Sequence, residues 1–314
     1  MPASESRHVA CDVLGLGCVA VDDVLRVRRW PRRQAKLPVL ERERLCGGIT
    51  GTALRAAVAV GAHAAYAGVL GTDPDSQFVI DALAAAGVQI DAIQRQPGAA
   101  PIRCTVIVDR LGRRTVLYDL AGAVGPTADW PPAEVITSCR VLLADPLGIE
   151  GMLRAARLAQ AAGIPVVADL EGRPSAKVRR LARLADHLIV SRSFAAALCG
   201  THDPSAQAQL LAGADRDVVV TCGRQGAWYA QRGTSPQPQH LAPFRVREVD
   251  TTGCGDVFHG VYAALLAEGM CMVDRLRRAA AGAALWAARP HQQPLPSRSE
   301  IEALVEGRGQ AAQE

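Results

Sequence analysis

Aromatic side chains are scarce: four Phe, four Tyr and four Trp among 314 residues, leaving little for a ring-lined base pocket. No apolar stretch is long enough to cross a membrane, because every alanine-rich run is broken by Arg, Asp or His. The nine cysteines include no Cys-x-x-Cys pair, and their odd number and scatter do not make a disulfide framework. With no signal peptide read, they are the small apolar residues of a reducing compartment, so the expected location is the cytoplasm. Charge bias is missing too: 35 basic against 31 acidic residues leave a net +4, too balanced for a nucleic-acid partner. The one basic cluster, Arg26 to Arg33 with five arginines, has no flanking aromatic repeat and reads as a solvated face. No Gly-x-x-x-x-Gly-Lys-[Ser/Thr] occurs, which removes a P-loop ATPase, and there is no internal repeat or low-complexity linker. What remains is a chain 49% hydrophobic and 21% charged, enough for a packed core and too apolar for disorder.

The pattern along the chain is regular from residue 139 onward. Apolar runs at Val141–Ala144, Pro165–Ala168, His187–Val190 and Val218–Thr221 read as strands, alternating with helices at 150–162, 175–185, 193–199 and 204–212. Such alternation predicts a mostly parallel sheet covered on both faces, a three-layer α/β/α sandwich. Earlier come a strand at 12–18, a helix from Gly47 to Gly61, a strand at 63–70, and a helix from Asp73 to Ala86 opened by Asp73-Pro74. Helices at 256–268 and 273–288 complete the core. Segments 19–46 and 103–120 alternate apolar and polar residues and stand outside this rhythm; the second is a hairpin around Arg110-Leu111-Gly112. We expect a single domain over 1–305 and a frayed tail at 306–314.

The most informative string is Asp250-Thr251-Thr252-Gly253-Cys254-Gly255-Asp256-Val257-Phe258. The apolar residues Phe244, Val246 and Val249 before it read as a strand, and an alanine-rich helix follows. A small-residue turn feeding a helix N-terminus aims unpaired N–H groups and the positive helix end at one point, which suits an anion. Asp256 at the lip of such a site makes sense as a base that takes a proton from a hydroxyl while those N–H groups bear the charge of a moving phosphoryl. An aspartate in a glycine turn can also be only a helix cap. His259, one turn on, reads as structural, as a lone helical histidine usually is.

The string is similar to the C-terminal signature of the ribokinase-like (PfkB) carbohydrate kinases, with Cys254 in place of the usual alanine. The resemblance implies Asp256 as catalytic base and Gly253, Cys254 and Gly255 as the anion hole with it. It also implies a small β-sheet lid, built from 19–46 and 103–120, that keeps water from the sugar. Gly15-Leu16-Gly17 looks like a dinucleotide fingerprint, but the alternating segment after it opens no helix. Gly17 with Asp22 instead fits the family's Gly-x-x-x-x-Asp, which implies Asp22 as a ligand of sugar hydroxyls. Gly47-Gly48 and Thr52 resemble its N-terminal sugar-contacting segment, with Thr52 where Asn is common. Thr221, Gly223 and Gly226 resemble its Thr-x-Gly-x-x-Gly nucleotide segment, joined by Thr252 of the signature.

The chain is nearest the ketohexokinase and sulfofructose kinase branch, on residues 249–260 and the tract from Asp129 to Asp145, and Asp145 is added to the substrate ligands on that basis. Lys36 sits where a sulfofructose kinase contacts a sulfonate, but Tyr118 and Leu147 stand where its helpers would be. The family's Asn-x-x-Glu, which orders Mg²⁺, is replaced by Ser191-Arg192-Ser193-Phe194, so no side-chain ligand of the metal is named. Arg289-Pro290-His291 replaces a glycine-bearing segment near the monovalent-cation (K⁺) site. The implied protein is an ATP- and Mg²⁺-dependent kinase of a small sugar, a homodimer through its lid, with Ile107, Val116 and Tyr118 expected on the buried lid face. The rival readings are a nucleoside kinase and a non-catalytic sugar-binding protein on the same fold.

Overall fold

A computed structural model describes residues 10–110, 112–120, 122–213, 215–233, 237–290 and 293–307. Leu111 of the hairpin turn, His291 and most of the expected tail, 308–314, lie outside the described residues. An eight-stranded sheet forms the centre. Its order is Gln239–Leu241, Ala227–Ala230, Asp217–Thr221, His187–Ser191, Val166–Leu170, Cys139–Ala144, Cys11–Gly15, Ala64–Tyr66. The six strands from Asp217–Thr221 to Ala64–Tyr66 are parallel, and the last two at the other edge run antiparallel.

Successive residues of the central strands enter different cores. Val141 and Leu143 pack with the helices Ile49–Ala59, Cys254–Ala267 and Met272–Ala287, while Leu142 and Ala144 face Ile149–Ala161 on the other side. Period-two alternation between two apolar faces makes these strands hydrophobic at every position and gives the three expected layers. Each fully buried Val or Leu of this kind contributes about 1.5–3 kcal/mol, so the sheet holds the site rigidly from below.

A second sheet stands off the first, in the order Val39–Gly47, Ala20–Val27, Ile102–Asp109, Arg114–Asp119. It is the expected lid. Its register pairs Asp22 with Cys104 and with Leu45, and Val24 with Val106. Asp75, at the start of the helix Pro74–Ala85, anchors it through Arg44 and through Arg103, the latter at 2.6 Å, and Arg44 also lies over the Phe78 ring. The basic cluster tops this sheet, with Arg26 paired to Glu43 at 3.3 Å.

Three expectations change. Residues 244–249 form no strand: the edge strand stops at Leu241, and Pro243, which has no N–H for the ladder, sends the chain toward the anion-hole turn. Ile107 does not share a face with Val116 and Tyr118, because the register sets Val106 against Val116, Cys104 against Tyr118 and Ile107 against Thr115. Finally, a helix at Arg298–Val305 closes the described chain, started by a capping box between Ser297 and Glu300.

Candidate active site

The helix Cys254–Ala267 begins at the C-terminal edge of the parallel strands, where open α/β sheets bind ligands. Its entry turn is fixed by four bonds. Asp250 is buried and accepts from the Thr252 N–H at 2.9 Å and the Thr252 hydroxyl at 2.7 Å. The Ala287 carbonyl accepts from the Val249 N–H at 2.7 Å, and Trp286 Nε1 donates to the Thr252 carbonyl at 2.8 Å. Gly253 then turns the chain at φ 74°, a left-handed conformation that side chains resist. Gly255 is different: a Cβ there would meet nothing within 4 Å, so no part of this chain requires the glycine. It is exposed on the first turn, where the Gly255 and Asp256 N–H groups have no partner inside the helix. The empty space beside it suits a ligand that approaches the backbone.

Asp256 is half-buried on that turn. Burial pushes its carboxyl well above the usual carboxylate range, and Asp169, Glu171 and Asp22 push the same way while His259 opposes them. Asp169 and Glu171 lie at the C-terminal end of the strand Val166–Leu170. Asp22 reaches over from the lid; burial raises its pKa, and a hydrogen bond from the Cys104 thiol partly offsets this. Gly47 allows that approach, since a Cβ there would fall 2.1 Å from Asp22 Oδ2. Gly48 takes φ 88° and caps the helix Ile49–Ala59. Thr52, on its first turn, is buried and sits beside Gly253: a Cβ on that glycine would lie 3.5 Å from Thr52 Cγ2. The fold thus gathers Asp22, Gly47, Gly48, Thr52 and Gly253 to Asp256 from three distant stretches of chain.

Thr221, Gly223 and Gly226 stand two strands along the same edge, at the end of Asp217–Thr221 and in the turn to Ala227–Ala230. Arg224 in that turn pairs with Glu248 at 2.7 Å, tying it to the segment that leads into the anion-hole turn. Thr252 has its hydroxyl on Asp250 and its carbonyl on Trp286, so it shapes the turn instead of facing outward.

Two expected substrate ligands are placed elsewhere. Asp145 is fully buried, accepting from Cys18 N–H at 2.5 Å, the Thr50 hydroxyl at 2.8 Å and Leu147 N–H at 2.8 Å. Burial lifts its pKa to about 6 against those three donors. With its oxygens occupied by the protein, it holds together the loops beneath the sugar position. Lys36 is exposed in the loop that leaves the lid strand at Val27, about 17 Å along that strand from Asp22 at 3.3 Å per residue. At Ser191 to Phe194 the departure from the family pattern has a structural use. Ser191 caps the helix Arg192–Cys199 by accepting from Phe194 N–H, and Phe194 is buried in the core.

Several contributors were not singled out from the sequence. Arg114, on the lid hairpin, donates from Nη1 to the Thr251 hydroxyl at 3.0 Å, and its charge reaches the Cys254 thiol. Trp286 and Asp169 are also new; a carboxylate one residue past the end of the expected strand Pro165–Ala168 was the available signal for Asp169. Beneath the lid tip a cleft of about 540 Å³ is lined by Arg26, Leu40, Val108, Arg110 and Val249.

A three-layer α/β/α core, a glycine turn opening a helix at its strand ends and a β lid over that turn define a ribokinase-like fold. The model of the pfkB family carbohydrate kinases matches residues 18–298, and the chain belongs to that family. It is 26% identical over 269 residues to the ribokinase of Staphylococcus aureus (strain COL), covering 81% of this chain and 86% of that one. The bifunctional protein HldE of Stutzerimonas stutzeri is 31% identical over 272 residues, 80% of this chain and 56% of HldE. The chain spans about half the length of the bifunctional curated relatives it matches. In structure it is similar to Arabidopsis thaliana ribokinase complexed with ribose and ATP, at a TM-score of 0.81 and 20% identity over 95% of this chain and 99% of that one.

Proposed function

We propose that this protein moves the γ-phosphoryl of ATP to a hydroxyl of a small sugar, of ketose or pentose type. The observation that carries the reading is Asp256 on the same helical turn as the open backbone at Gly255, with Asp22 facing both from the lid. The sugar is held by Asp22 and the Gly47–Gly48 backbone, with one hydroxyl against Asp256. That hydroxyl gives its proton to Asp256 as its oxygen forms the bond to the γ-phosphorus. The bond from that phosphorus to the bridging oxygen breaks, and ADP leaves with the electron pair. N–H groups at Gly255 and Asp256 bear the charge on the transferring group.

ATP fits this chain's residues at the exposed first turn of Cys254–Ala267, with Thr221, Gly223 and Gly226 along the nucleotide's side. Among the described residues no three or more His, Cys, Asp or Glu side chains gather as a metal cage. Mg²⁺ would be carried in by phosphate oxygens and water, where it would supply charge neutralisation. The lid leaves Val116, Leu117 and Tyr118 exposed at 41%, 57% and 67%, and pairing of two lids across a two-fold axis would cover them. A homodimer by light scattering at micromolar concentration is expected; a monomer would refute the assembly and leave the kinase reading standing.

The deciding experiment is an ADP-release screen with Mg·ATP across ketoses, pentoses, sugar acids and nucleosides. One acceptor class should raise ADP release well above the acceptor-free rate. A nucleoside as sole acceptor would replace the sugar, and no acceptor with retained sugar binding would mark a non-catalytic binding protein.

A further inference from the structure

His259 lies on the same face of its helix as Asp256, one turn deeper, and is buried. Both of its ring nitrogens face atoms that only accept. Nδ1 is 2.8 Å from the Gly255 carbonyl oxygen and Nε2 is 3.0 Å from the Ile189 carbonyl oxygen. A neutral imidazole has one N–H, and its second nitrogen is itself an acceptor. Either neutral tautomer would therefore turn a buried lone pair against a carbonyl oxygen. Two donors satisfy both contacts, and two donors mean imidazolium. A buried cation needs a counter-charge, and Asp169 Oδ2 stands 2.9 Å from Nδ1. Nδ1 thus faces the Gly255 carbonyl and the Asp169 carboxylate together, and with His259 charged the second contact is an ion pair.

We propose that His259 is a standing imidazolium under the anion hole and a positioning residue for phosphoryl transfer. It pins the Gly255 carbonyl, which sets the first-turn N–H groups, and its charge favours the carboxylate form of Asp256 against the burial and neighbouring carboxylates that oppose it. The proposal deepens the kinase reading and rests on it for the role of Asp256. The charged groups around the pair come from every element that packs there. Asp169 and Glu171 belong to the end of Val166–Leu170, Asp22 to the lid, Asp256 to the helix itself, and the strand His187–Ser191 offers only the Ile189 carbonyl. Asp169, Glu171 and Asp22 thus act on Asp256 from outside its helix, and the imidazolium opposes them. Burial alone would push the His259 pKa down, but Asp169 and the two carbonyls outweigh it and hold it at about 9. Toward Asp256 the same charge works downward, against burial and the other carboxylates.

Two measurements test this in the full chain. Nitrogen-15 spectra of histidine-labelled protein, with His259 assigned by its loss in His259→Gln, should show both ring nitrogens protonated at pH 7.5, with a midpoint above pH 8. A neutral tautomer at pH 7.5 would overturn the proposal whatever the enzyme does. In the pH profile of kcat/KM on an accepted sugar, folded His259→Gln should move the acidic limb up by about one pH unit, because Asp256 loses its nearby cation. The KM for the sugar should stay within twofold. An imidazolium in the spectra with an unmoved acidic limb in the folded variant would overturn the positioning role. Asp256→Asn with normal turnover would instead sink the reading of Asp256, and the spectra would still decide the state of His259.

Discussion

The core edge and the lid meet over one site but are built on opposite principles. At the core edge the working groups are backbone N–H groups on a turn locked by Asp250, Trp286 and Ala287, with a histidine and carboxylates sunk into the sheet ends. Over the site, the lid offers side chains on an open four-stranded sheet whose outer strand, Arg114–Asp119, is exposed at every residue. The contrast separates two tasks. Charge on a transferring phosphoryl is the same for every acceptor and is best met by fixed dipoles. Recognition of the acceptor differs from sugar to sugar and falls to the part whose side chains change without disturbing the core.

Breaking the core half should cost most. Asp256→Asn keeps size and removes the base, and turnover should fall about 10²–10⁴-fold while ATP and sugar binding by calorimetry change little. Near-wild-type turnover on the accepted sugar would end the base assignment. In the lid half, Asp22→Ala should weaken sugar binding by about 1–3 kcal/mol, by leaving bound hydroxyls unpaired, with ATP affinity unmoved. Equal losses for both ligands would mean that the two halves are not separate in function.

The two glycines of the anion-hole turn sharpen the comparison inside the core. Gly253→Ala forces a side chain into φ 74° and should cost about 1–2 kcal/mol of stability in denaturant melts. Gly255→Ala meets no protein atom and should leave the melt unchanged while weakening ATP binding. Matching behaviour of the two variants would show that the space beside Gly255 is not the phosphate's. The smallest effect is expected at the seam. Arg114→Ala removes one exposed hydrogen bond between lid and core and should raise the sugar KM several-fold, with at most roughly 0.5–1.5 kcal/mol lost in stability. An unchanged KM would mean that this contact does not hold the lid over the sugar.

His259 gives a pH signature of stability as well. Its folded pKa, about 9, lies above the ordinary 6.5. The stabilisation it brings is complete below pH 6.5 and is lost as pH rises through about 9. Denaturant midpoints at pH 6.5 and 9.5 should therefore differ in the wild type, and by less in His259→Gln.

Much of this was legible before any coordinates. The alternation after residue 139 called for a parallel sheet, since strands buried on both faces must be apolar throughout, and Val141–Ala144 and Val218–Val220 are. The anion-hole turn was legible because its chemistry is local: small residues, a turn and a helix start are adjacent in the chain. The surroundings of Asp145 and Lys36 were not legible, for the converse reason. A carboxylate's role depends on which donors reach it, and those of Asp145 include Cys18 and Thr50, 127 and 95 residues away. The loop holding Lys36 is rooted at the end of an extended strand, five residues past Asp22. Ser297-x-x-Glu300 was a readable helix start that went unread.

The sequence by itself determined the layers of the core, the position of the glycine turn before Cys254–Ala267 and Asp256 at its lip, because periodicity and turn chemistry act over a few neighbouring residues. Only the tertiary structure decided that Asp22 faces Asp256, that Arg114 reaches Thr251 and that His259 lies between two carbonyls and Asp169. Those relations span tens to more than a hundred residues, and they exist only once the sheets have packed and water has left the space between the groups.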